Sequence, residues 1–492
     1  MSHDPHIVVV GGGIAGLACA HALARSQESG SRPRVTLLEA DERLGGKIRS
    51  ESIAGRRIDV GAESLLTRIP AGIELCRELG LEGELMAPAT MATSVWARKR
   101  LRELPAGILG GLPNGAGPVL RSGILSPLGI ARASLDLLFP RFSTERDRPV
   151  ADLIGGRLGR QALDRLVDPL LGTIYGAGCD TLSLRATAPQ LEAIAREHRS
   201  LIKGMLAARA PAARAGTQPT GRAGAQAQLQ AGPPFATLPE GLERIVERLG
   251  DRLRETEQVD IRRGTRARLL VRIPQGRYAI GLADGERLAA DGVVIAAPAF
   301  EAADILSSLA PGAAGELAAI DYLSTVVVTL SYPAQDASRP LRGSGLLVPR
   351  GERRLLGACT LLSNKWPHIS AEGELWLRCS VARASVEWAL GMDDAQLAER
   401  LARELRDMTG LIGAPLSAHV TRWRNALPHY VPGHLDRITR IEQHLKPFPE
   451  VTLAGAAYRG MGVPQCIAQG QAAAERILTA TARSEGVVAQ TR

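Results

Sequence analysis

A short β-branched run, His6 to Val10, leads directly into Gly11-Gly12-Gly13-Ile14-Ala15-Gly16, and an Ala- and Leu-rich stretch carries on to Arg25. No other feature limits the possible folds as tightly. An unbroken apolar strand predicts burial on both faces, as in parallel sheets covered by helices. The loop has the form GxGxxG. Gly11 permits the tight turn, Gly13 lets a diphosphate approach the backbone, and Gly16 lets helix and strand pack closely. The free N–H groups and dipole of the helix start favour the diphosphate charge. A second strand, Val35 to Leu38, ends at Glu39, about 20 residues beyond the glycines, where a carboxylate accepts hydrogen bonds from ribose hydroxyls and repels a 2′-phosphate. The unit fits an adenine dinucleotide without that phosphate. NAD and FAD both qualify.

The rest of the chain separates them. Arg43-Leu44-Gly45-Gly46-Lys47 offers two glycines and two cations to a diphosphate, which a simple NAD dehydrogenase does not need. Asp59-Val60-Gly61-Ala62-Glu63-Ser64 is a second small-residue turn. Near the end, Gly455 to Pro464 joins a strand (Val451 to Ala454) to a helix (Pro464 to Thr481), with Pro464 in the first helical turn. That helix start suits the pyrimidine edge of a flavin, where negative charge develops on reduction.

At 492 residues the chain is long enough for two or three domains. Hydrophobic residues at 45% and charged residues at 23% exclude wholesale disorder. Aromatics make up only 3%, so Ala, Leu, Val and Ile must fill the core. The net charge of +9 suits nucleic acid, an anionic surface or a polyacidic substrate. Lysine occurs at only five positions, so nearly all of the 60 basic residues are arginine. They form no stripe interleaved with aromatics, and no nucleic-acid partner is expected. Six cysteines without a CxxC pair predict reduced thiols and a cytoplasmic location. No His/Cys group has zinc spacing, so no metal is expected. The start reads as a strand and not a signal peptide, and no apolar run reaches the length of a membrane span.

The chain resembles the flavin amine-oxidase superfamily and, within it, the protoporphyrinogen/coproporphyrinogen oxidases. The glycine motifs VVVGGGIAGLACAHAL (8–23), LLEADERLGGKIRS (37–50), DVGAESLL (59–66) and LAGAAYRGMGVPQCIAQG (453–470) carry the superfamily. LRELPAGILGGLP (101–113), DRPVADLIGGRLG (147–159), DPLLGTIYGAG (168–178), LSLRATAPQL (182–191) and FATLPEGLERIVERL (235–249) extend the resemblance over nearly the whole chain.

The resemblance implies an α/β fold: a two-dinucleotide-binding, Rossmann-like FAD domain with a mixed-sheet substrate domain and a helical insertion. The implied division is an FAD domain from 1–90, 235–300 and 441–492, a helical substrate-binding segment at 91–205, a flexible loop at 206–234 and a substrate-domain sheet at 301–440. It puts the FAD diphosphate on Gly11, Gly12, Gly13, Ile14, Ala15 and Gly16, and the ribose on Glu39 beside Ala40. Lys47, Gly61, Ala62, Glu63 and Ser64 match flavin-lining positions, Ala267 an adenine contact, Trp423 an aromatic near the flavin, and Met461, Gly462 and Val463 the turn over the ring.

The implied reaction is oxygen-dependent oxidation of a porphyrinogen, with hydride passing to flavin N5 and hydrogen peroxide released. Coproporphyrinogen III is the first choice, protoporphyrinogen IX the second and an amine the third. No side-chain base is required, because the cofactor carries the chemistry. Arginine forks suit the substrate's carboxylates. Thr93 stands where animal and plant relatives carry a propionate-binding arginine, which shifts that anchor to Arg98 or Arg100. The apolar stretch Leu101 to Pro140 is expected to cap the substrate cavity, or else to dock peripherally on a membrane. The protein is expected to be a monomer or homodimer.

Overall fold

The computed structural model describes residues 4–490 apart from 27–32, 106–107, 110–111, 114–118, 120, 215–232, 275–276, 339 and 370–372. Strand His6–Val10 lies at the centre of a five-stranded sheet. It pairs in parallel with Arg34–Leu38 on one side and Gly292–Ile295 on the other. Val259–Arg262 and Val451–Leu453 complete the edges, also in parallel. Three distant stretches of chain therefore share one sheet. Alternate side chains of the central strand enter opposite cores. Ile7 and Val9 pack with Leu17, Leu249 and Ile467, whereas Val8 and Val10 pack with Ile280 and Ile305. This double burial is why the strand is apolar at four successive positions.

The first core is covered by helices Ile14–Arg25, Glu243–Arg254 and Val463–Gln490. Leu17 and Leu23 are fully buried there, each contributing about 1.5–3 kcal/mol. The first and last helices touch backbone to backbone. A methyl carbon at Gly470 would lie 2.1 Å from the Ala15 carbonyl oxygen. Only a residue without a side chain permits that approach, and it brings the opening glycine turn beside the Gly455–Val463 segment.

A second sheet has seven strands in the order Ser417–Pro428, Tyr322–Pro333, Glu374–Val381, Leu356–Leu361, Gly345–Leu347, Thr93–Ala97 and Arg100–Glu103. Its pairs are antiparallel except Gly345–Leu347 with Thr93–Ala97, so the sheet is mixed, as expected. Residues 93–103, expected within a helical segment, form a hairpin that completes this sheet. Within the expected helical segment, Gly159, whose φ is +87°, ends helix Val150–Leu158. Helix Leu201–Arg214 runs into the expected loop, and most of the remainder of 206–234 lies outside the described residues.

Candidate functional site

Four of the five parallel strands end at one place. Val10, Leu38, Ala296 and Gly455, at or just past their C-terminal ends, all line a cavity of about 740 Å³ between the two sheets. Ligands in open α/β sheets bind at this edge.

Gly13 opens helix Ile14–Arg25 with no side-chain cap and no acidic residue in the first turn. The first helical bond runs from Leu17 N to Gly13 O at 2.9 Å. The N–H groups before it have no helical partner and call for an anion. A methyl carbon at Gly13 would meet nothing within 4 Å, so the backbone faces open space. Gly16 does the opposite, since its methyl would lie 1.9 Å from Gly11 O. Glu39 accepts the Gly12 N–H at 2.7 Å on Oε2 and the Asp41 N–H at 2.8 Å on Oε1. The carboxylate thus braces the glycine turn and keeps lone pairs facing the cavity.

Gly45 N donates to Gly12 O at 2.8 Å, and Ala62 N donates to Lys47 O at 3.1 Å. A methyl at Gly61 would lie 2.1 Å from that same Lys47 oxygen. The Gly45–Lys47 loop is therefore clamped between two glycine turns. Trp423 Nε1 donates to Val60 O at 2.9 Å and steadies the second turn from the other sheet. Lys47 faces the cavity without a carboxylate partner among the described residues, and burial pushes its ammonium below the usual lysine range. A cation so placed fits an anionic ligand. Taken with the bare helix start, it makes the cavity a fit for a flavin dinucleotide.

Of the expected site residues, Gly11, Gly13, Ile14, Ala15, Glu39, Ala40, Lys47, Gly61, Ala62, Glu63, Ala267, Trp423, Met461 and Val463 line this one cavity. Gly12, Gly16, Ser64 and Gly462 are not among its lining residues. Arg98 and Arg100 do not reach it. Arg98 and Lys99 form a left-handed turn (φ +56° and +59°) that points residues 98–100 into solvent. The expected propionate anchor is thereby overturned at both positions. Thr93 does line the cavity. No described residue from 101 to 140 does, and parts of that stretch lie outside the described residues. Ile124 and Leu125 pack instead on Val150, Ile154 and Leu166.

Two cations in the wall escaped the sequence reading. Glu63 accepts Lys365 Nζ at 2.6 Å, Trp366 Nε1 at 2.9 Å and Arg378 at 3.0 Å. Burial alone would raise the Glu63 carboxyl, but Lys365 and Arg378 outweigh it and hold it at about 2. Arg378 also donates to Gly61 O at 2.7 Å. The available signal was the scarcity of lysine, because two of the five, Lys47 and Lys365, stand in this wall. Tyr430 and His434 were missed as well. The Tyr430 hydroxyl donates to Ala456 O at 2.6 Å and accepts Gly460 N–H at 3.0 Å, which fixes the C-terminal turn. His434 stacks on Tyr430 with ring centres 4.0 Å apart. Burial lowers its imidazole to about 4, leaving it neutral.

The profile of the family described as flavin containing amine oxidoreductase matches residues 14–478. A Bacillus subtilis coproporphyrinogen III oxidase is 33% identical, over 96% of this chain and 98% of its own length. A bovine protoporphyrinogen oxidase is 29% identical, over 96% and 98%. A solved structure from Exiguobacterium sp. 255-15 superposes with a TM-score of 0.80 at 30% identity, covering 97% of this chain and 99% of the other. The two-sheet architecture, the uncapped helix start and these matches lead to one assignment: the chain belongs to the flavin containing amine oxidoreductase family.

Proposed function

We propose that the protein is an FAD-dependent oxidase that converts coproporphyrinogen III to coproporphyrin III in haem synthesis, with dioxygen as acceptor and hydrogen peroxide as product. The observation that carries this reading is that one cavity holds both halves of the site. It joins an anion-seeking helix start to a chamber lined by Leu170, Thr173 and Ile174. Those three belong to the DPLLGTIYGAG stretch, the most porphyrinogen-oxidase-like part of the sequence. Curated bacterial relatives named coproporphyrinogen III oxidase match at 30–33% identity over nearly their full lengths.

Bound FAD would supply the two-electron chemistry. The chain's own residues bind and orient. Gly11 to Gly16 receive the diphosphate, Glu39 the ribose and Ala267 the adenine. Lys47 compensates negative charge near the ring, and Trp423, Met461 and Val463 wall it in. The same reading divides the chain into an FAD domain built from three stretches and a substrate domain around the seven-stranded sheet.

To test the reaction, each porphyrinogen is prepared anaerobically, air and FAD-loaded protein are admitted together, and porphyrin fluorescence is followed. Faster turnover of coproporphyrinogen III is expected. Preference for protoporphyrinogen IX would reassign the substrate, and oxidation of a polyamine alone would overturn the reading. Glu39→Ala should weaken FAD binding roughly 10- to 150-fold, the equivalent of about 1.5–3 kcal/mol for hydrogen bonds to a charged group. Equilibrium dialysis of the apoprotein checks this, and Glu39→Gln should lose less.

The proposed setting is the cytoplasm, with peripheral contact to a membrane. All six cysteines are buried and unbridged. No helix among the described residues is long and apolar enough to cross a membrane. Helix Pro127–Ser134 and the turn after it nonetheless present Leu128 at 83% and Leu138 at 70% exposure, an apolar ridge suited to lying in a lipid interface. Co-sedimentation with anionic vesicles should fall when Leu128 and Leu138 are both changed to Glu. Unchanged sedimentation would remove the membrane contact.

A further inference from the structure

A second cavity, of about 720 Å³, shares Thr173, Thr325 and Ser380 with the wall of the first. Six guanidinium groups line it: Arg350, Arg353, Arg354, Arg383, Arg400 and Arg403. Among the described residues two carboxylates do, and both are engaged. Asp168 takes Arg383 at 2.6 Å, and Glu404 takes the backbone N–H groups of Leu355 and Leu356 at 2.9 and 2.8 Å. Arg350 and Arg354 are paired from outside the cavity by Asp180 and Asp407.

Three arginines remain without a close carboxylate. Arg353 sits in a left-handed turn (φ +51°) and has no side-chain partner among the described residues. Arg403 comes only within 3.8 Å of Glu399, and both are more than half exposed. Arg400 lies 4.9 Å over the ring of Trp388. Trp388 itself lines the cavity and is 46% exposed, an unusual placement for the largest apolar side chain in a chain with so few aromatics.

A half-exposed tryptophan beside six guanidinium groups, three of them without a close carboxylate, is complementary to a flat conjugated ring that carries carboxylates. We propose that this cavity binds the planar porphyrin product as a tetracarboxylate after it leaves the adjoining flavin cavity. The proposal rests on the porphyrinogen reading above. The unoxidised macrocycle has saturated bridges and cannot lie flat on Trp388, so the site favours product over substrate. Each carboxylate–arginine fork is charge-assisted and bidentate, and four carboxylates engage the ring of arginines better than two.

The test is a titration of the FAD-loaded protein with coproporphyrin III, followed by tryptophan quenching and equilibrium dialysis. Binding that quenches tryptophan is expected. Arg353→Glu combined with Arg400→Glu should weaken it at least tenfold, and Trp388→Phe should remove most of the quenching while the chain stays folded. Protoporphyrin IX should bind more weakly, and coproporphyrin tetramethyl ester should not bind at this site. Binding and quenching equal to wild type in both variants would overturn the proposal. Turnover of coproporphyrinogen III by the wild-type protein is measured separately. If turnover occurs but the variants bind normally, only the second site is lost. If the arginine-dependent binding occurs without turnover, the site stands as a carboxylated-porphyrin site and the reaction is wrong.

Discussion

Gly16→Ala should yield protein that is colourless after purification and takes up less than a tenth of the FAD bound by wild type. The added methyl would lie 1.9 Å from Gly11 O and 3.3 Å from Ala296 Cβ. Gly11 cannot retreat. It already sits at φ +107°, a conformation that only glycine adopts without strain, with Ala296 O pressed against the place its own Cβ would occupy. The helix start must therefore move away from the strand. That overpacking costs about 1–3 kcal/mol, and it swings the free N–H groups off the diphosphate position. Gly13→Ala separates the two effects. Its φ of −70 and the open space around it leave the empty fold undisturbed, yet its methyl fills the approach to the backbone. It should unfold as wild-type apoprotein does and still lose the cofactor. Flavin absorbance per chain and urea unfolding of the apoprotein check both variants. A Gly16→Ala protein as yellow as wild type would remove the glycine turn from the site.

The strand, the glycine turn and the first helix were legible because their signals are local. Four apolar residues, three spaced glycines and an Ala/Leu helix need no partner to be recognised, and Glu39 sits at a fixed offset from them. The closing segment was legible for the same reason, since Gly455 to Pro464 repeats the strand–turn–helix pattern. What the sequence does not display is which side chains a second sheet delivers to that turn. Lys365 and Arg378 come from Leu362–Lys365 and from strand Glu374–Val381, and their partner Glu63 lies some 300 residues away. No periodicity encodes such a meeting. Arg98 and Arg100 misled for a related reason. Near Thr93 in sequence, they are carried out of the cavity by a two-residue left-handed turn, because in a hairpin two residues of chain suffice to reverse direction. The apolar stretch from 101 to 140 carries composition but no geometry, and Leu104 and Leu125 join a helical core while Leu128 and Leu138 face solvent.

Glu63→Ala should destabilise the holoprotein by about 3–5 kcal/mol, the range for removing one member of a buried ion pair. The carboxylate side chain is 10% exposed, and its cations Lys365 and Arg378 are 15% and 16% exposed. Without it, both charges stay buried with no counterion, the Trp366 N–H loses its acceptor, and Arg378 keeps only Gly61 O. Arg378 Nε already lacks a hydrogen-bond partner within the described fold, so that side chain has little else to turn to. Glu63→Gln keeps the volume and one acceptor but not the charge, and should lose nearly as much. Adding Lys365→Met to Glu63→Gln removes one stranded cation. The double variant should therefore be more stable than Glu63→Gln alone, a coupling that a double-mutant cycle reads directly. The pH dependence has a definite sign. The folded Glu63 carboxyl titrates at about 2, below its ordinary value of 4.5. Its stabilisation is complete above pH 4.5 and is lost as pH falls from there through 2. Wild type should weaken over that interval by an amount that Glu63→Gln does not share. Urea unfolding at a series of pH values, read by circular dichroism and flavin release together, measures the difference. Parallel curves for the two proteins would mean that the carboxylate is not carrying the two cations. The Gly61–Glu63 turn, to which Arg378 is tied through Gly61 O, would then need another explanation for its position against the flavin cavity.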